Sequence, residues 1–166
     1  LHVFYGGHNK HMRYSRSQKP LANTDWKDLT SHIPYTESTY PQLLEMSDGT
    51  IYCFYRRKTH RGNWSCITTK DNGETWSKEE HILDGKSPPG NGWYASFAKD
   101  PRKDHLHLLF LWHASKDDLP HSRRNLYYMQ MKHTTGKWTG IENEKLKTPI
   151  SFEEANEKTM IFDSNN

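Results

Sequence analysis

A tyrosine and an arginine fall at the open end of a short hairpin that can be predicted from the sequence. Residues 47–49, Ser-Asp-Gly, form a turn between two apolar and aromatic segments, as a β-hairpin requires. If Met46 faces Thr50, Tyr40 lies opposite Arg56 and points to the same face of the sheet. A phenol can transfer a proton and a guanidinium can bind a carboxylate through two hydrogen bonds, so the pair could act on an anionic ligand. An ordinary cross-strand stack is the alternative.

The composition of the 166-residue chain favours a folded all-β protein that handles polar ligands. Only 33% of residues are hydrophobic and the mean hydropathy is −1.05, but 6 Trp, 9 Tyr and 11 His argue against disorder. A net charge of +3 is too small to indicate a nucleic-acid partner. The absence of a long apolar run predicts no membrane span.

The first residues, LHVFYGGH, resemble the middle of a strand, and the sequence does not begin with methionine. We therefore expect the chain to be a piece of a longer protein whose N-terminus carries an export signal. The complete protein is expected to be secreted or periplasmic, and monomeric.

Three parts of the chain look like copies of one unit of about 50 residues. Each copy has an aromatic-rich strand, a loop, a second strand and a closing tryptophan. The copies are 1–8 with 12–17 and Trp26, 51–58 with 64–70 and Trp76, and 105–113 with 126–132 and Trp138. This length is typical of a β-propeller blade, so we predict an all-β chain of four-stranded antiparallel units. The predicted units are about 1–38, 39–88 and 89–148, followed at 149–166 by a connector or the next blade, with a helix candidate at 151–159.

Residues 69–76 look like the Asp-box, or bacterial neuraminidase repeat, with Thr69 in place of the usual serine. We expect Asp71 to cap the amides of this turn, Gly73 to take a left-handed conformation and Trp76 to pack between strands. The motif is specific for a group of folds and has a structural role. Segments 18–26 and 136–140 look like degenerate copies.

The two cysteines, Cys53 and Cys66, fall at similar depth on neighbouring predicted strands, with His60 in the loop between them. Three interpretations stay open: two inert buried thiols, a cross-strand disulfide, or a metal site completed by another histidine such as His113. Zinc sites prefer closer cysteine spacing, so the metal signal is weak. A structural zinc or calcium ion is kept as an alternative.

Ligands of propellers bind where strand ends of successive blades converge, and the alignment makes His8, Lys58 and His113 equivalent strand ends. Tyr94 holds in the third copy the place that Tyr40 holds in the second, where it could stack on a sugar or pack in the core. Further candidates for binding a ligand are Asn9, Arg61, Asn63 and His113.

Several segments together resemble the propeller-type ulvan lyases, polysaccharide lyases with neuraminidase-like repeats that fold as seven-bladed propellers. They are GHNKHMRYSRS, TYPQLL, SDGTIYCFYRR, the Asp-box and GWYASFAKDPRKDHLHLLFLWH, over about residues 1–140. The most specific parts are Gly-His-Asn at 7–9, Thr-Tyr-Pro at 39–41 and Arg56.

The resemblance implies β-elimination on an anionic, uronate-containing glycan. Tyr40 would protonate the leaving oxygen, Arg56 would bind the uronate carboxylate, and His8 matches a histidine beside that carboxylate. The histidine that acts as base in this family is expected upstream of Leu1. No cofactor would be required, because the arginine neutralises the carboxylate.

Two other functions share parts of this pattern. A sialidase-like glycoside hydrolase would also carry the Asp-box, but it needs three arginines and a Tyr–Glu pair, which are not evident here. A non-catalytic carbohydrate-binding propeller would keep aromatic residues and arginines without needing a phenol and an imidazole at one sugar.

Overall fold

The computed structural model describes residues 1–21, 23–34, 37–101, 103–114 and 122–164, without the side chain of Asn9. Within these ranges the chain forms thirteen β-strands, one α-helix and a short 3-10 turn at Thr30–His32. It divides into two compact units, Leu1–Thr59 with Ser65–Glu80 and His60–Trp64 with His81–Asn166. None of the described helices is both long and apolar enough to cross a membrane.

The N-terminal part of the chain contributes two sheets. The first consists of β1 (His2–Tyr5), β3 (Arg13–Ser17) and β4 (Trp26–Asp28), in that order. The second consists of β2 (His8–His11), β5 (Glu37–Glu45), β6 (Ile51–Arg57), β7 (Trp64–Thr69) and β8 (Glu80–Leu83), in that order. Residues 51–56 of β6 are all buried, because a central strand rich in aromatic and β-branched residues is covered on both faces.

The core of the first unit lies between strands of its two sheets. Its buried members are Met12, Tyr14, Leu29, Ile33, Cys53, Tyr55 and Ile67, and Phe4, Leu43 and Trp76 pack against them. Burying this many apolar side chains is the main favourable contribution to folding of the unit.

The second unit is built on a sheet with the order β12-β11-β10-β9, formed by β9 (Trp93–Lys99), β10 (His105–His113), β11 (Arg123–Lys132) and β12 (Lys137–Thr139). Strand β13 (Met160–Phe162) also pairs with β11. Rings of Trp93, Phe110 and Tyr127 contact one another at 5.0–5.4 Å between centroids. Helix α1 (Phe152–Lys158) is capped by the Ser151 hydroxyl, which accepts a hydrogen bond from the backbone of Glu154 at 3.2 Å.

The predicted all-β class is confirmed, because the sheets are antiparallel and α1 is the one helix among the described residues. Five of the six strands used for the repeat, and the helix at 151–159, lie where the sequence predicts them. The number of blades and the three unit boundaries stay predictions.

The first predicted strand, 1–8, is wrong because the chain turns at Gly6-Gly7 and leaves the first sheet. Gly6 has φ +76°, and a Cβ on Gly7 would lie 2.9 Å from the carbonyl oxygen of Ser38. The two glycines therefore let β2 approach β5 closely. His8 begins this second strand, opposite Thr39, rather than ending the first.

The hairpin of β5 and β6 follows the predicted register near its turn, where Gln42 pairs with Phe54. A β-bulge beyond Gln42 then shifts the pairing by one residue, so that Thr39 rather than Tyr40 faces Arg56. The predicted direct pairing of Tyr40 with Arg56 is therefore wrong. Pro41 has no N–H for a ladder hydrogen bond, and Tyr40 adopts φ +59°, a left-handed conformation that a regular strand cannot contain.

The Asp-box turn has the predicted mechanics. Asp71 accepts hydrogen bonds from the Thr75 backbone and hydroxyl, at 2.9 and 2.5 Å, and these bonds lower the pKa of Asp71 to about 2. Gly73 has φ +84°, and Trp76 packs edge-on against Tyr14 at 5.7 Å between ring centroids. A Cβ on Gly73 would lie 1.9 Å from the Tyr14 hydroxyl oxygen, so this position requires glycine.

Candidate functional site

The β-bulge in β5 brings Tyr40 onto Arg56 although the two residues are not paired. The Arg56 guanidinium carbon lies 5.1 Å from the centroid of the Tyr40 ring, within the range of a cation–π contact. A one-residue shift alone would turn Tyr40 to the opposite face, but the left-handed backbone of Tyr40 changes the direction of its side chain. The two predicted catalytic side chains are therefore neighbours for a different reason from the predicted one.

Burial differs sharply between these two side chains. Arg56 is 0% exposed, whereas Tyr40 is 39% exposed. A buried guanidinium is costly to desolvate and its charge is weakly screened, so it acts more strongly on a neighbouring anion than an exposed arginine would. The exposed phenol above it is accessible from solvent.

His8 joins this pair because β2 lies along β5. Its ring centroid is 6.3 Å from that of Tyr40, with the planes at 75°, and the side chain is exposed. The structure thus places His8, Tyr40 and Arg56 together in the first unit. Asn9 follows His8 in β2, and its predicted contribution lies outside the described side chains.

Chemically, the group of His8, Tyr40 and Arg56 combines a proton donor, a fixed cation and an imidazole. A buried guanidinium can neutralise a carboxylate, and an accessible phenol beside it can donate a proton to an oxygen of the same ligand. Neighbouring Tyr55 has another role, because it is buried and donates a hydrogen bond to Glu79 at 2.7 Å. Burial raises the pKa of Tyr55 far above its usual value, which keeps it protonated.

The second unit carries its own group of a tyrosine, a histidine and an arginine. The ring centroids of Tyr94 and His113 are 5.7 Å apart, and those of His60 and His113 are 6.2 Å apart. The Arg123 guanidinium carbon lies 4.0 Å above the Tyr94 ring. Tyr94 is half-buried and also lines an apolar pocket of about 230 Å³ with Leu109 and other residues.

Arg123 is a residue that the sequence reasoning missed. It is the first residue of β11 and pairs with His113 at the end of β10. Extending the regular register of the 105–113 and 126–132 strands would have paired His113 with Arg124, because a bulge between Phe110 and Trp112 shifts the pairing by one residue. The polar segment after His113 gave no sign that a strand begins as early as residue 123.

Arg61 and Asn63 both hold a neighbouring loop. Arg61 donates a hydrogen bond to the carbonyl oxygen of Lys86 at 2.6 Å, and the Asn63 side-chain oxygen accepts one from the backbone of Gly85 at 3.0 Å. A Cβ on Gly85 would lie 2.2 Å from the carbonyl oxygen of Gly62, so the loop packs tightly here. These contacts give both residues a structural role, and their predicted binding of a ligand stays a prediction.

Cys53 and Cys66 are both buried free thiols. Burial raises the pKa of Cys66 to about 12 and that of Cys53 well above its usual value, so neither forms a thiolate readily. The disulfide interpretation is wrong, and the burial of both thiols agrees with the inert-thiol interpretation. Among the described residues no three His, Cys, Asp or Glu side chains are placed to hold a metal ion, so a site of Cys53, Cys66 and His60 has no support. A structural zinc or calcium ion elsewhere stays a prediction.

Comparison with known proteins assigns this architecture to a family and finds similar enzymes. A model described as "BNR repeat-containing family member" matches residues 1–165. The chain is 30% identical over 189 residues to the ulvan lyase PL25 of Pseudoalteromonas sp. (strain PLSV), covering 98% of this chain and 38% of that protein. It is equally identical, with the same coverage, to an ulvan lyase of Alteromonas sp. (strain LOR).

Solved structures of polysaccharide lyases are also similar to this chain. A PL25 ulvan lyase bound to -[GlcA(1-4)Rha3S]- superposes with a TM-score of 0.84 at 29% identity, over 98% of this chain and 42% of that one. Polysaccharide lyase Uly1, with a TM-score of 0.72 and 15% identity, over 98% of this chain and 43% of that one, shows likeness of fold. The chain thus spans about two fifths of the length of these relatives.

Proposed function

Because the chain belongs to the BNR repeat-containing family, we propose that it forms part of a polysaccharide lyase that cleaves an anionic, uronate-containing glycan such as ulvan by β-elimination. The observation that carries the proposal is the contact of accessible Tyr40 with buried Arg56, beside His8. The names of the similar enzymes, and the uronate in the oligosaccharide bound to one of them, give it independent support. We also propose that the complete enzyme is exported, because a polymer of this kind is met outside the cell.

The chemistry explains why a lyase needs these three residues together. The C5–H group of a uronate is a very weak acid while the neighbouring carboxylate is charged. In the proposed site Arg56 binds that carboxylate through two hydrogen bonds, and His8 supports it, which stabilises the enolate-like intermediate. Arg56 is suited to this task because its burial leaves its charge weakly screened.

Tyr40 is proposed as the acid that protonates the departing glycosidic oxygen. In a syn elimination the proton and the leaving oxygen lie on one face of the sugar, so the same phenol could first accept the C5 proton as phenolate and then return it. Its partial exposure allows a polymer to reach it, and the contact with Arg56 fixes its ring.

The test uses the full-length parent protein, because the chain spans part of its relatives. The wild type and Tyr40→Phe are each mixed with ulvan, and the unsaturated uronate product is followed by ultraviolet absorbance. Tyr40→Phe keeps the ring against Arg56 and removes only the transferable proton, so we expect product formation to fall about 100-fold or more while polymer binding stays within about twofold. Full activity of Tyr40→Phe would contradict this role of Tyr40.

The same assay distinguishes the proposed lyase from other carbohydrate-active propellers. Incubation of the wild type with a sialoside and with other uronate polymers shows which bond, if any, is cleaved. Unsaturated product supports the lyase, release of sialic acid would indicate a hydrolase, and binding without any product would indicate a carbohydrate-binding module.

A further inference from the structure

The Arg123 side chain lies over an aromatic ring and forms no ion pair with any residue that the structure describes. Its guanidinium carbon lies 4.0 Å from the centroid of the Tyr94 ring, and the pairing of β10 with β11 holds its backbone opposite His113. Tyr94 is held in turn by the pairing of β9 with β10. The position of the guanidinium is therefore set by β9 and β11, which both pair with β10.

The hydrogen-bond donors of Arg123 have no protein acceptor among the described residues, and its Nη1 is buried without a partner. Two other arginines of the chain differ in this respect. Arg16 pairs with Glu74, and Arg61 donates to the carbonyl oxygen of Lys86. A buried donor without an acceptor is unfavourable, so a ligand or water is expected to complete it.

The chemistry of the site indicates the class of ligand. A guanidinium presents a planar set of donors that matches two oxygens of a carboxylate or a sulfate, and stacking on a ring reduces the freedom it would lose on binding. The residue is half-buried, and its Nη1 is the atom shown to be shielded from solvent. No carboxylate among the described residues competes for it.

We infer that Arg123, stacked on Tyr94, binds an oxyanion of the polysaccharide, either a sulfate ester or a uronate carboxylate. This inference rests on the proposed function for the identity of the polymer. Arg123 contributes to affinity for the polymer and takes no part in proton transfer. Tyr94 is the positioning residue that holds the guanidinium in place.

The experiment measures binding by affinity electrophoresis of the full-length parent protein in gels that contain ulvan, chemically desulfated ulvan or carboxyl-reduced ulvan. The variants are Arg123→Gln, Arg123→Lys and the control Arg13→Gln, which removes the same charge from an exposed position in β3. Thermal melting of each variant reports folding. Arg123→Lys keeps the charge but loses the planar fork. Its binding therefore tests the role of the Arg123 guanidinium if Arg123→Gln does not fold.

Arg123→Gln is expected to weaken binding to native ulvan about tenfold, and Arg123→Lys by a smaller factor, with Arg13→Gln within about twofold of the wild type. If the oxyanion is a sulfate, the difference between wild type and Arg123→Gln disappears on the desulfated polymer. If it is a carboxylate, the difference disappears on the carboxyl-reduced polymer.

Binding of Arg123→Gln within twofold of the wild type on native ulvan would overturn the inference. An equal loss in Arg13→Gln would overturn it too, because it would show a general effect of charge. The readout does not depend on turnover. A parent protein that binds ulvan through Arg123 without forming unsaturated product would contradict the proposed lyase and leave this inference standing.

Discussion

The two units each hold a tyrosine between an arginine and a histidine, but they build the arrangement differently. In the first unit Arg56 lies 5.1 Å from the Tyr40 ring, and His8 approaches that ring edge-on. In the second unit Arg123 lies 4.0 Å from the Tyr94 ring, and His113 approaches it at 61°. The two tyrosines correspond as expected from the repeat, because β5 with Tyr40 pairs with β6 and β9 with Tyr94 pairs with β10, but Arg56 lies in β6 and Arg123 in β11.

The backbone and the burial of the charge distinguish the two groups. Tyr94 occupies a regular position in β9, whereas Tyr40 lies in a bulge with φ +59°. Such a conformation costs about 1–3 kcal/mol and persists where the surrounding structure enforces it, often at functional sites. Arg56 is fully buried and Arg123 half-buried. The left-handed backbone of Tyr40 and the full burial of Arg56 therefore suit the first group to the proposed chemistry, whereas the regular position of Tyr94 and the half-buried Arg123 suit the second group to binding.

The largest expected effect separates the two tyrosines. In the full-length parent protein Tyr40→Phe should lower kcat on ulvan about 100-fold or more, because the transferable proton is lost. Tyr94→Phe should change kcat by less than about threefold, because its ring still supports Arg123. Steady-state kinetics of both variants give the ratio. Similar losses in the two variants would remove the functional distinction between the groups.

The second-largest expected effect is on stability, and it compares one turn glycine in each unit. Gly73→Ala should reduce the free energy of unfolding by about 3 kcal/mol, because its methyl group would clash with Tyr14 and its φ is +84°. Gly136→Ala is the matched control. It has φ +65° and open space around its Cα, so the expected loss is about 1 kcal/mol. Urea unfolding measures both, and equal losses would show that packing at the Asp-box is unimportant.

Exchange of each arginine for lysine should have a smaller effect on turnover. Arg56→Lys retains the charge but loses the planar fork that holds a carboxylate at two oxygens, so kcat/KM should fall about tenfold with a clear reduction in kcat. Arg123→Lys should act on KM with kcat nearly unchanged. A reduction of kcat by Arg123→Lys comparable with that of Arg56→Lys would assign chemistry to the second group.

The smallest expected effect is the pH dependence of the Asp-box. The pKa of Asp71 in the folded state, about 2, is below its usual value of 3.8, so its carboxylate stabilises the fold above about pH 4. This contribution should disappear as the pH falls from about 4 to 2. The difference in melting temperature between wild type and Asp71→Asn should therefore shrink over that range. In the second unit, the turn at Thr134 is held by a carboxylate that is 30 residues away in sequence. Asp104 accepts a hydrogen bond from the Thr134 backbone there at 2.8 Å.

Local patterns explain which features could be predicted from the sequence. The strand at 105–113 follows from its run of apolar residues, and the turn at Gly73 from its motif. Tyr40 and Arg56 were correctly expected to be neighbours, but the bulge that joins them depends on Pro41 and on pairing with two strands, which no short pattern reveals. Arg123 was missed for a similar reason, because a strand's first residue is fixed by its partner and not by its own sequence.

The early departure of β2 from the first sheet has a consequence for the order of folding. His8 is synthesised before β3 and β4, yet its strand pairs with β5, which emerges from the ribosome later than both. During synthesis β2 is therefore made before its partner strand, whereas all three strands of the first sheet precede β5 in the chain. Contacts between segments distant in the chain form late, so we expect His8 to reach Tyr40 only when β2 docks on β5. The candidate site would then be assembled in the same step that adds β2 to the edge of the second sheet.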